Sequence, residues 1–227
     1  MNFSFGIITN GENDSYVNEI VYSIRNEKIP NYEIIIVGKT EVNGNDILNV
    51  PFNEKIKDKW ITKKKNIITY EANYDNIVYM HDYIKLVDGW YEGQLKSGND
   101  FKIRMDKITN FDGTRFRDWV LTYANLNFLD NIVGMNCLLP YDIIHLSKYM
   151  YISGSYWVAK KYVMEEFPLE ELLSWGQGED TYWSKQVRQK YDFSMNINSE
   201  VKILKPNKER AFSEPNEELV NYLKNLI

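Results

Sequence analysis

The run Tyr32-Glu33-Ile34-Ile35-Ile36-Val37-Gly38 constrains the fold more than any other stretch of the chain. It is β-branched and almost entirely apolar. A strand with one wet face alternates polar and apolar residues, whereas a continuous apolar run needs cover on both faces, as in a parallel sheet flanked by helices. Upstream, Phe3 to Thr9 is a second short apolar run, closed by the turn signal Thr9-Asn10-Gly11. Between the two, Tyr16, Val17, Ile20, Val21 and Ile24 recur at helical spacing, with Asp14 or Ser15 in the capping position. Strand, helix and strand in this order make a βαβ unit, whose crossover is expected to be right-handed.

The rest of the chain extends that pattern. Residues 46–52 read as a short third strand. Residues 60–72 read as a helix with the basic start Lys63-Lys64-Lys65-Asn66. Residues 76–82 form a fourth strand that runs into the polar end His81-Asp82. A short helix is expected over 89–97. Over 101–109, Phe101, Ile103 and Met105 alternate with Lys102, Arg104 and Asp106, which suggests a strand with one wet face in a mixed part of the sheet. Residues 111–140 read as an insertion beside the active face. A strand over 149–159 is broken at Ser153-Gly154-Ser155, and a helix over 160–167 is stopped by Pro168. A helix over 178–191, a last strand over 201–204 and a C-terminal helix over 214–226 complete the reading. The expected architecture is a single α/β domain, residues 1–227, Rossmann-like, with a mixed, mostly parallel central sheet flanked by helices.

Composition narrows the function. A formal net charge of −5 disfavours a nucleic-acid partner, which usually calls for a basic surface. A single cysteine, Cys137, excludes an internal disulfide and a cysteine-built zinc site. The N-terminus shows no signal-peptide pattern, and no apolar run is long enough for a membrane span. The expected location is therefore cytoplasmic. The Asn, Ile, Lys and Tyr content fits AT-rich coding, and for a viral chain the compartment would be the host cytoplasm. Aromatic residues reach a high 15%, with 17 Tyr and 6 Trp; such rings suit surfaces that stack on flat ligands or sugar rings, though most of them serve core and rim.

Chemistry concentrates in two places. In open α/β sheets, ligands sit beyond the carboxyl ends of the strands, where strand order reverses. Three such ends here are polar: Thr9-Asn10-Gly11, Gly38-Lys39-Thr40 and His81-Asp82. None matches a dinucleotide fingerprint or a P-loop. Asp82 could hold a divalent cation bridging diphosphate oxygens, or it could be a turn residue. Lys64, Lys65, Lys202 and Lys205 could meet phosphates directly, or form a solvated face. His81 is a weak metal-ligand signal and fits a polar rim equally well. The second place is Ser174-Trp175-Gly176-Gln177-Gly178-Glu179-Asp180. Its glycines let the backbone turn and bring two carboxylates to a helix N-terminus, where free N–H groups and the dipole favour the ionised form. Such a carboxylate suits a general base facing a sugar hydroxyl. The same residues could also be a simple capping box. Arg115 and Arg117 read either as anion contacts or as partners of Asp112 and Asp118.

The order of these elements, with Lys64-Lys65-Asn66, Tyr79 to Asp82, and Trp175 to Asp180, resembles the GT-A fold glycosyltransferases of the family-2-like superfamily. The last segment is similar to the Trp-Gly-x-Gly-(Gly)-Glu-Asp region of the β-1,4-galactosyltransferases. The resemblance implies inverting transfer from a nucleotide-diphosphate sugar, with a UDP-sugar favoured, to a glycan or other hydroxyl acceptor. It implies Asp180 as the base, with Glu179 binding donor or acceptor hydroxyls or swapping roles with Asp180. It places Thr9, Asn10, Gly38, Lys39, Lys65, Asn66, His81 and Asp82 around the donor, and Asp82 on Mn2+ or Mg2+. Aromatics near the carboxylates fit this reading: Trp175, Tyr156, Trp157 and Trp183 could stack on sugar faces, Trp157 and Trp175 as acceptor contacts, or each could simply pack the core. The chain departs from the pattern at Met80-His81-Asp82-Tyr83, where one carboxylate of Asp-x-Asp is missing, and no histidine follows Asp180. The competing functions are a sugar-nucleotide-binding domain without catalysis and a nucleotidyltransferase. The acidic Glu12 after Thr9-Asn10-Gly11 argues against the latter.

Overall fold

The computed structural model describes residues 1–122, 136–146, 149–206, 212 and 214–225. The opening βαβ unit forms as expected. Strand β1 (Phe3–Ile8) and strand β2 (Tyr32–Val37) run parallel, with helix α1 (Asp14–Asn26) between them burying Val17, Ile20, Val21 and Ile24. Strand β3 (Ile47–Val50) adds parallel to β2, and helix α2 (Ile61–Glu71) leads back across β1 to β4 (Asn76–His81), also parallel. Every residue of β1 and β4 is buried, which is what continuous apolar runs require of a sheet covered on both faces.

The chain continues through β5 (Ile84–Leu86), α3 (Trp90–Ser97) and β6 (Ile103–Thr109). The insertion contributes β7 (Val120–Thr122) and β8 (Asn136–Leu138), which pair with β9 (Met150–Tyr151) in a small separate sheet of order β8-β7-β9. Strand β10 (Tyr156–Lys160), α4 (Lys161–Glu166), α5 (Glu179–Val187), β11 (Phe193–Ile203) and α6 (Glu217–Lys224) follow. The central sheet has the order β3-β2-β1-β4-β10-β6-β11-β5. Strand β10 is antiparallel to both neighbours, β6 and β11 are parallel, and β5 is antiparallel at the edge.

Three expectations change. The break at Ser153-Gly154-Ser155 does not interrupt one strand; it separates β9 in the small sheet from β10 in the large one. The last strand is 11 residues long and begins at Phe193, because its polar residues face covered surfaces that no local pattern announces. The polar face of β6 is not wet: Arg104 and Asp106 are buried under α3. There, Asp106 accepts hydrogen bonds from Trp90 Nε1 at 2.8 Å, Asn196 Nδ2 at 2.9 Å, Gln94 Nε2 and the Tyr156 hydroxyl. The expected insertion over residues 111–140 falls partly outside the described residues, as does the end of the expected C-terminal helix. Among the described residues, no helix is long and apolar enough to cross a membrane.

Candidate functional site

Strand order reverses between β1 and β4, because the chain lays β2 and β3 on one side of β1 and returns to place β4 on the other. The carboxyl ends of these strands are in register, with Ile8 opposite His81, so Thr9 and Asp82 emerge together. Asp82 is buried, and its Oδ2 accepts from Thr9 Oγ1 at 2.8 Å and from Asn13 Nδ2 at 3.2 Å. The loop after β2 closes on the same spot. Gly38 has φ 141°, and a side chain there would collide with the Thr9 carbonyl, since its Cβ would lie 2.0 Å from that oxygen. Only glycine allows this approach. Lys39 follows, exposed, packed beside Gly11, and Asn10 is exposed with its Oδ1 accepting from the Glu12 amide at 3.1 Å. Four of the expected donor residues, Thr9, Asn10, Gly38 and Lys39, therefore share one rim with Asp82.

His81 lies on the other side of this strand end. Its amide donates to the Ser155 carbonyl at 3.1 Å. Its Nε2 is buried and has no hydrogen-bond partner among the described residues. Burial, reinforced by the facing charges of Lys65, Lys205 and Lys64, holds the imidazole well below its usual pKa, so it is neutral at pH 7. Lys205 reaches this end of the cleft, with Nζ 3.7 Å from the centroid of Tyr83, whose ring tilts against His81 at 5.3 Å. Lys202 lies elsewhere, over Phe111 at 5.6 Å.

The acidic pair arrives from α5. Gly176 and Gly178 have φ of 82° and 74°, so the two glycines supply the left-handed turns that aim the helix start. No side chain caps this helix, which sets aside the capping-box reading. Asp180 instead uses both oxygens: Oδ1 accepts from the Thr181 amide at 2.8 Å, and Oδ2 from the Gly154 amide at 3.0 Å. Glu179 is buried at 5% exposure. Its pKa is raised by that burial and by the Asp180 charge, against hydrogen bonds to its own and the Gly176 backbone and the pull of Lys65. Lys65 Nζ donates to the Gly154 carbonyl at 2.5 Å. Asp82 and Asp180 are thus joined by one short segment: His81 is tied to Ser155, and Asp180 to Gly154.

Other expected residues fall outside the cleft surface. Trp157 is 1% exposed, sandwiched between Tyr79 at 4.7 Å and Trp183 at 5.5 Å. It packs the core and offers no face to an acceptor. Asn66 spends its side chain on Leu169 and Glu171, stapling α2 to the loop before α5. Lys64 is buried against Glu54 and the Thr9 carbonyl, so the basic run is not a solvated face. Arg115 pairs with Asp118 at 2.8 Å. Trp175 does stay on the surface at 56% exposure, with Lys59 Nζ 5.1 Å from its ring centroid. Sequence reasoning missed Asn13 as an Asp82 partner and missed the Ser153–Ser155 loop as the meeting point. The small, flexible composition of that loop was visible, but its partners lie in β4, α2 and α5.

The donor set can be tested against a divalent cation. Among the described residues there is no cluster of three or more acidic, histidine or cysteine ligands. Asp82 offers one carboxylate, with Oδ2 already engaged, and the unpartnered His81 nitrogen belongs to the opposite side of the strand end. This set does not fit a metal caged by protein alone. It fits one held by a single carboxylate and otherwise by substrate phosphates.

No protein-family model matches the chain, and no curated protein matches it. Solved structures do. The chain is similar to GalNAc-T7, crystallised with UDP, GalNAc and Mn2+, with a TM-score of 0.66 and 12% identity over 98% of this chain. It is also similar to TarS of S. aureus in complex with UDP-GlcNAc, with a TM-score of 0.55 and 10% identity over 100% of this chain. The chain spans only 47% of the former and 62% of the latter. At this identity the likeness establishes the fold: a Rossmann-like GT-A domain.

Proposed function

We propose that the chain is an inverting glycosyltransferase that moves a sugar from a nucleotide-diphosphate donor, with UDP-sugars favoured, to a hydroxyl acceptor. The observation that carries this reading is that His81, next to Asp82 at the β1/β4 switch point, is tied through its amide to Ser155, one residue from the Gly154 amide that holds Asp180 at the start of α5. The nucleoside side of the cleft is Thr9, Asn10, Gly38 and Lys39. In the transfer step the Asp180 carboxylate takes the acceptor hydroxyl proton as that oxygen bonds to the anomeric carbon. The bond from the anomeric carbon to the diphosphate oxygen breaks, and the nucleoside diphosphate leaves with the electron pair. Attack opposite the leaving group inverts the anomeric carbon. Lys205, which lies with Tyr83 near His81 at this end of the cleft, is assigned to offset part of its charge. A bound Mn2+ or Mg2+, held by Asp82 and the phosphates, would supply further charge neutralisation. Trp175 is the exposed ring placed to pack on an acceptor sugar. The lone carboxylate at the switch point also supports a second reading, a sugar-nucleotide-binding domain without turnover.

Thermal stabilisation by UDP, GDP and sugar nucleotides, with and without Mn2+, tests the donor site, since a ligand bound only by the native state raises its stability. Donor hydrolysis then separates catalysis from binding. Asp180→Asn is expected to keep donor affinity and lose turnover by about 10²–10⁴-fold. Turnover retained in that variant refutes the base assignment. Asp82→Ala is expected to weaken donor binding about tenfold or more, corresponding to the loss of one charged contact. An unchanged dissociation constant, with and without metal, removes Asp82 from the site.

A further inference from the structure

Lys65 is a cation at 1% exposure, and the transfer chemistry alone does not explain why it is buried. Its Nζ lies 4.6 Å from the centroid of Trp157 and donates to the Gly154 carbonyl. The amide of the same glycine donates to Asp180 Oδ2. The residue is therefore gripped at both ends, by an ammonium on one side and a carboxylate on the other. Its neighbour Ser155 is fixed to β4 through the His81 amide. A Cβ on Gly154 would lie 3.4 Å from Asp180 Oδ2 and 3.6 Å from Lys65 Nζ, so the acid and the amine face each other across the space that glycine leaves. The titratable groups facing Lys65 are Glu179 and Asp180 from α5 and His81 from the end of β4, while β10 presents only the Trp157 ring. Asp180 also faces the phenol of Tyr151 in β9, which burial and that carboxylate keep neutral against the pull of Arg117.

We infer that Lys65 is a positioning residue for transfer: its ammonium fixes the Ser153–Ser155 loop through Gly154 and so keeps Asp180 aimed at the acceptor hydroxyl. The inference rests on Asp180 being the base. Burial draws the Lys65 pKa down from 10.5 to about 8, against the pull of Glu179 and Asp180. The grip weakens above that pH, so transfer acquires an alkaline limb there.

The test uses the full chain with lysine side chains labelled at Cε, titrated by NMR in the wild type and in Asp180→Asn. Removing the carboxylate is expected to lower the Lys65 midpoint by roughly one unit or more, as for loss of a close opposite charge. An unchanged midpoint overturns the pairing. In parallel, UDP-sugar hydrolysis is followed against pH. Lys65→Met is expected to lower kcat roughly tenfold to a hundredfold, with donor KM little changed, and to erase the alkaline limb. Lys65→Arg restores part of the rate. Lys65→Gln, which keeps a polar tip without the charge, carries the same test if Lys65→Met fails to fold. A wild-type rate and pH profile in a folded Lys65→Met or Lys65→Gln overturns the role. Coupled titration without any donor binding or hydrolysis overturns the transferase reading and the catalytic part of this inference together. Asp180-dependent turnover without coupled titration overturns the Lys65 role alone.

Discussion

Two carboxylates in this molecule, Asp106 and Asp180, are each held by several hydrogen bonds, and they are arranged oppositely. Asp106, fully buried, is surrounded by donors from α3, β10 and β11, and both its oxygens are taken by side chains that themselves pack in the core. Asp180 is only partly buried, is held by two backbone amides, and faces a lysine across a glycine. Both solve the problem of a carboxylate out of water, but only the second leaves an orientation available to something new. Side-chain donors that converge on Asp106 make it a structural knot. Backbone donors leave Asp180 fixed in direction yet open on one side, as a base must be.

The contrast is open to direct attack. The largest effects separate activity from stability. Asp180→Asn is expected to abolish most turnover with a change in unfolding free energy within about 1 kcal/mol, because an amide oxygen still accepts from one of the two N–H groups. Asp106→Ala is expected to do the reverse, losing about 3–5 kcal/mol by urea unfolding, as when a buried charged network loses a partner. A stable Asp106→Ala protein would erase the distinction. The two tryptophans expected at the acceptor divide in the same way. Trp157→Ala is expected to cost about 3–5 kcal/mol as a core deletion.

Lys65 sharpens the comparison through pH. Its folded pKa of about 8 lies below the unfolded value of 10.5, so folding disfavours its charged form. Below pH 8 both states are protonated and the full penalty is present. Between the two values the unfolded chain binds more protons, so stability rises with pH, and above 10.5 the penalty is gone. The full rise is on the order of 3 kcal/mol, and it should vanish in Lys65→Met when urea unfolding is compared between pH 7 and pH 10. A slope equal in both proteins would place the lysine in solvent. The smallest effect is at Trp175, where replacement by Ala should change stability by no more than about 0.5 kcal/mol, as at other exposed positions. A larger loss would make it a packing residue like Trp157.

How much was legible follows from range. The βαβ start, the strand ending at His81-Asp82 and the turn at Gly176 to Gly178 depend on neighbours a few residues apart, and the structure reproduces them. Trp157 and Trp175 could not be told apart, because an indole reads the same in sequence whether rings or water surround it. Asn66 next to Lys65 looked like a ligand contact; its side chain is consumed by a loop about a hundred residues away. The polar residues of β6 looked wet because the cover, α3 and β11, supplies matching donors that alternation cannot reveal.

The sequence by itself determined the parallel sheet, since apolar periodicity and turn residues act through local backbone preference and burial. Only the tertiary structure decided that the ends of β1 and β4, the loop at Gly154 and the start of α5 meet, that Lys65 is buried between them, and which aromatics stay outside. Those outcomes depend on contacts between segments far apart in the chain, and a charge or a ring acquires its role from what the fold finally sets against it.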